Sequence, residues 1–154
     1  MAEDPYAFLE RFSRELTPED TVVCDAGSAF YMCHQALRLP DGCRLITDLS
    51  QAAMGAAVPM AIGARKAKSS GEVYAITGDG SAYFQLPALM QASDMEGITV
   101  YVLGNGGYKS IADSQNRHCE GRRMGDPYIS EDILADYAFI VRCDEYEIRK
   151  PTTK

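Results

Sequence analysis

The sequence predicts an α/β domain, a single unit over residues 1–154, built on a mostly parallel sheet. Three observations predict it. Two apolar runs, residues 73–76 and 98–103, each end in a glycine-rich polar corner, Gly78-Asp79-Gly80-Ser81 and Gly104-Asn105-Gly106-Gly107. The stretch between the corners has the length of a helix, and strands joined through a helix run parallel. The composition agrees, because 46% hydrophobic and 24% charged residues are usual for a globular α/β chain and unusual for a disordered one.

Taken in order, Tyr6, Phe8, Leu9, Phe12 and Leu16 fall mostly on one face of a first helix over residues 4–16, which Thr17-Pro18 ends. Thr21-Val22-Val23-Cys24 is a short buried strand, and Asp25-Ala26-Gly27-Ser28 is its turn. A second helix carries Phe30, Tyr31, His34, Ala36 and Leu37 until Pro40-Asp41-Gly42 breaks it. Leu45-Ile46-Thr47 forms another strand, again followed by a polar corner. Residues 52–67 are dense in alanine and predict a helix that approaches its neighbours closely, kinked in its first turns by Pro59 and closed by Arg65, Lys66 and Lys68. Its small side chains suit either intramolecular packing or an oligomer interface.

Beyond the central unit, residues 109–130 have no apolar periodicity and predict a long loop, a segment able to close as a lid over a ligand. The arginines there, Arg117, Arg122 and Arg123, suit a solvated surface or a substrate carboxylate. Residues 131–135 start a helix, 137–141 form a last strand, and 144–150 begin a helix that does not finish.

The net charge of −7 excludes nonspecific nucleic-acid binding, which needs a surplus of Lys and Arg to neutralise phosphates. Five scattered cysteines, without a CxxC pair, read as reduced thiols rather than a disulfide or zinc framework. No long uncharged apolar run spans a membrane, and the acidic N-terminus lacks the regions of a signal peptide, so the expected location is cytoplasmic.

The corners carry the chemistry. Ligands of open α/β sheets collect at the carboxyl ends of strands, and the central unit places Asp79 and Asn105 there together. A carboxylate and an amide oxygen are hard donors that suit Mg2+ or Ca2+ and are poor for zinc. Gly80 and Ser81 offer N–H groups where an anion is stabilised, and the glycines allow close approach. Each corner alone is an ordinary turn; the pair, at successive strand ends, makes a site for a metal-bridged diphosphate.

Gly78-Asp79-Gly80, 24 intervening residues and then Asn105 match the cofactor motif of thiamine-dependent enzymes. Residues 23–28, 50–55 with Pro59 and Ala61-Ile62-Gly63, and Glu120-Gly121-Arg122 also resemble the diphosphate-binding domain of acetolactate-synthase-like enzymes. The resemblance implies a three-layer αβα fold without its last helix and strand, and thiamine diphosphate with Mg2+ as cofactors. It implies that Asp79, Asn105 and the Gly107 carbonyl ligate the metal. Gly80 and Ser81 would hold the diphosphate by backbone N–H and hydroxyl, helped by the Gly27-Ser28-Ala29 corner, and Gly78 and Tyr108 would be further cofactor-binding residues. Met54 would prop the bent thiamine, and the Ala52 carbonyl, where relatives often have glycine, would accept a bond from the pyrimidine amino group.

Such enzymes also need a pyrimidine-binding domain whose glutamate activates the cofactor, and none fits in this length. The expectation is therefore a subunit of a split 2-oxo acid decarboxylase or carboligase, forming a hetero-oligomer with a pyrimidine-domain partner and holding no catalytic residue of its own. The alternative is a non-catalytic binding module or a truncated relic.

Overall fold

A computed structural model describes residues 3–122, 124 and 134–143. Helix α1 (Pro5–Phe12) starts where the Asp4 carboxylate accepts the Tyr6 N–H at 3.0 Å and Pro5 fills a first-turn position that needs no N–H donor. Its Tyr6, Phe8, Leu9 and Phe12 are buried. Phe12 meets Tyr74 edge-on at 4.9 Å, and Phe8 meets Tyr101 at 5.1 Å, which seats α1 on the sheet.

The sheet has five strands, β1 (Thr21–Cys24), β2 (Arg44–Ile46), β3 (Val73–Gly78), β4 (Ile98–Gly104) and β5 (Phe139–Arg142). All neighbours pair in parallel, in the order β2-β1-β3-β4-β5. Strand β1 is buried at every position, as a strand covered on both faces must be. From β1 the chain moves outward to β2 and then returns past β1 to β3. Right-handed crossovers in opposite directions put their helices on opposite faces.

Accordingly α2 (Ser28–Ala36) joins α1 over one face, while α3 (Ala57–Ala67) and α5 (Leu86–Ser93) cover the other. The result is the expected three-layer αβα fold. The reversal of direction leaves a crevice beyond the carboxyl ends of β1 and β3, where open α/β sheets bind ligands.

Four expectations change. The alanine-rich helix starts at Ala57 rather than at 52, because Asp25 captures the Gly55 N–H at 3.0 Å and holds the preceding residues to the strand ends. Pro59 then falls in the first turn of α3, where its missing N–H would have no intrahelical acceptor. The single helix expected between the corners is two, α4 (Asp79–Phe84) and α5, interrupted at Gln85. Pro87 is the reason: it has no N–H for the Tyr83 carbonyl, and its ring would clash there.

The segment expected as a loop at 109–130 opens with a helix, α6 (Lys109–His118), of which only Ala112 is buried. A helix that buries one small residue leaves no apolar stripe to read. The later residues 123 and 125–130, the first three residues of the helix expected at 131–135, and the one expected at 144–150 lie outside the described residues.

Candidate functional site

Two buried aspartates organise the crevice. Asp25, at the end of β1, accepts the Ala26 N–H at 2.8 Å, the Gly55 N–H at 3.0 Å and the Thr77 hydroxyl at 2.6 Å. It ties together β1, the turn before α3, and β3. Asp79, at the end of β3, accepts four backbone N–H groups. Gly80 donates to Oδ1 at 2.8 Å, while Asn105 at 3.0 Å and Gly106 and Gly107 at 2.8 Å all donate to Oδ2.

Three successive amides converge on one oxygen because Gly106 and Gly107 turn with φ of 86° and 127°, where a side chain would be strained. Burial pushes the carboxyl pKa of Asp79 up, with the four N–H donors opposing it; Asp25 is likewise raised by burial against its own donors.

A cleft of about 150 Å³ opens over these corners. Gly27, Ser28, Ala29, Met54, Gly78, Asp79, Gly80, Ser81, Asn105, Gly107 and Tyr108 all line it, so the structure gathers every site residue expected from the sequence except Ala52. Ala52 lies outside with φ of 48°, a left-handed conformation that explains why glycine suits that position. Tyr108 closes one wall, its ring so near Gly80 that a Cβ there would fall 2.6 Å from ring carbons.

The Gly80 N–H, expected to face the diphosphate, donates to Asp79 instead, and the neighbouring Ser81 lines the cleft. Ala26, Met32, Leu103, Lys109, Ser110 and Ile111 line the cleft in addition to the residues expected from the sequence. The last three were hidden by the loop expected at 109. Asp25 was also given no role, although an acid followed by small residues at a strand end repeats the pattern that marked Asp79.

The donor set fits a hard divalent cation. Asp79 Oδ1 accepts a single N–H and keeps acceptor capacity, Asn105 offers a side-chain oxygen excluded from solvent, and the Gly107 carbonyl accepts the Lys109 N–H at 3.0 Å with a lone pair to spare. No group of three or more His, Cys, Asp or Glu side chains gathers among the described residues, so a softer, all-side-chain metal centre is not formed by them. No described helix is long and apolar enough to cross a membrane.

Comparison with known proteins identifies the family. The family model for the C-terminal TPP-binding domain of thiamine pyrophosphate enzymes matches residues 25–149. The chain belongs to that family. This thiamine-pyrophosphate-binding domain is 29% identical over 104 residues to pyruvate decarboxylase 2 of Pisum sativum, covering 65% of the chain and 25% of the relative. To pyruvate decarboxylase 1 of Zea mays it is 32% identical over 97 residues, covering 60% and 15%.

In fold it resembles the thiamine diphosphate-dependent 4-hydroxybenzoylformate decarboxylase of Rhodococcus jostii RHA1, with a TM-score of 0.72 at 20% identity, over 88% of this chain and 26% of that one. The domain thus spans about a quarter or less of the length of these relatives. The family and fold expected from the sequence are those found, and the relatives named are decarboxylases.

Proposed function

We propose that the chain is the thiamine diphosphate- and Mg2+-binding subunit of a split 2-oxo acid decarboxylase or carboligase, resembling acetolactate synthase in its architecture. The observation that carries this is the Asp79 corner. One carboxylate holds the Asn105–Gly107 turn by its Oδ2 and retains Oδ1 for a cation, beside a cleft walled by small residues. When bound, thiamine diphosphate would supply a nucleophilic carbon and an electron sink for the decarboxylation of a 2-oxo acid.

This chain's residues bind and orient. Asp79, Asn105 and the Gly107 carbonyl would hold Mg2+, while Ser81 and the Gly27-Ser28-Ala29 corner would receive the phosphates. Met54, 37% exposed on the cleft wall, would support the ring system. Complementary domains in a separate cytoplasmic chain would contribute the activating glutamate and complete the substrate pocket.

The test is calorimetry with thiamine diphosphate and Mg2+, alone and with a co-expressed pyrimidine-domain protein. Weak binding and no turnover alone, with both gained on adding the partner, is the expected result. Full turnover by the isolated chain would sink the split-enzyme reading.

A further inference from the structure

The charge inventory of the cleft is short. Among the described residues that line it, Asp79 is the one carboxylate and Lys109 the one cation. A diphosphate carries more negative charge than one divalent cation neutralises, and Asp79 adds its own. A metal-bridged diphosphate in this cleft therefore leaves a negative excess, which a cation close by would offset beyond what backbone N–H groups supply. The ion pairs among the described residues are Arg11–Glu3 and Arg122–Glu120, so no described carboxylate engages Lys109.

Its backbone is fixed from two sides. The Lys109 N–H donates to the Gly107 carbonyl at 3.0 Å, next to the metal corner, and the preceding Tyr108 is seated on Gly80. On the following residue, Ser110 Oγ lies 2.9 Å from Ser28 Oγ, which draws the start of α6 toward the start of α2 across the cleft.

Resting on the function proposed above, we infer that Lys109 is an anion-binding residue of this cleft, its ammonium pairing with the terminal phosphate of the diphosphate. This extends the binding set beyond the glycine-rich corners to the first turn of α6, and it gives the site the positive side chain that neither corner contains. A lysine acts here as a compact point charge, so arginine substitutes for it in part and a neutral side chain does not.

The experiment titrates the purified chain with Mg2+ and inorganic pyrophosphate, and separately with Mg2+ and thiamine diphosphate, by calorimetry at low and high salt. Lys109→Gln is expected to weaken pyrophosphate binding about tenfold and to flatten its salt dependence, with Lys109→Arg recovering most of the affinity. Equal binding by Lys109→Gln and the wild type overturns the inference.

Asp79→Asn separates the two readings. If it leaves Mg2+-dependent pyrophosphate binding intact, the metal–diphosphate site itself fails whatever Lys109 does. Absence of any pyrophosphate binding by the wild type overturns both.

Discussion

The Asp25 and Asp79 corners are built from the same parts and do different work. Each is a buried carboxylate at the end of a central strand, raised in pKa by burial and surrounded by donors. Asp25 spends both oxygens on Gly55, one of them also on Ala26 and the other on Thr77, and so joins three separate segments. Asp79 gathers three of its four donors on Oδ2, leaving Oδ1 with a single partner. The same chemistry thus gives a fastener where the acceptor capacity is filled and, under the proposed function, a binding group where part of it is kept. Distribution of hydrogen bonds between two oxygens, rather than the presence of an aspartate, separates the roles.

The sharpest way to break this comparison is to remove each acid in turn. Asp79→Ala is expected to abolish the melting-temperature shift given by Mg2+ and thiamine diphosphate, and to destabilise the chain by about 3 kcal/mol through unpaired amides. Asp25→Ala should destabilise by a similar amount, about 3 kcal/mol, yet retain a shift with cofactor. Denaturant unfolding with and without cofactor measures both, and an unchanged shift in the Asp79 variant would contradict the assignment.

Titration gives a second contrast. A carboxyl pKa raised in the folded state means that, between the ordinary carboxylate value and the raised one, the folded chain binds more protons than the unfolded chain. Stability without ligand therefore falls as pH rises through that window. Mg2+ requires ionised Asp79, so the gain in melting temperature on adding Mg2+ and thiamine diphosphate should grow with pH over the same interval. Thermal melts across acidic pH are expected to show these opposite trends, and parallel curves would detach Asp79 from the metal.

Smaller effects probe the walls. Gly80→Ala gains about 1 kcal/mol of helix propensity but drives a methyl into the Tyr108 ring, for a net loss of about 1–2 kcal/mol. Adding Tyr108→Ala should remove that clash, and a double-mutant cycle would report the coupling. The smallest change is expected at Ala52, where φ is 48°. Ala52→Gly relieves left-handed strain and is expected to stabilise by a few tenths to about 1 kcal/mol, part of it offset by greater freedom of the unfolded chain. Loss of stability there, read by chemical denaturation, would mean that the turn draws on the alanine methyl.

Much of the site was legible because its chemistry lies in short local signals. GDGS and GNGG each follow a β-branched strand, so their neighbourhood could be inferred from one crossover. What escaped depended on distant partners. Asp25 looked like a turn residue because its meaning comes from Gly55 and Thr77, which are 30 and 52 positions away. Helix α6 was invisible because it is anchored through Tyr108 and the Ser28–Ser110 hydroxyl pair rather than by an apolar stripe. The break at Gln85 is written in Pro87, a signal that segment length alone does not carry.

The Asp79 clamp has a bearing on how the chain folds. Its bonds to residues 105–107 close a separation of 26 to 28 positions, and they cannot form until β3 and β4 lie side by side. The Asp79 corner is therefore a late product of sheet assembly rather than a preformed loop. Its amides should exchange with solvent as one unit, slowly while the two strand ends remain paired and together once they part.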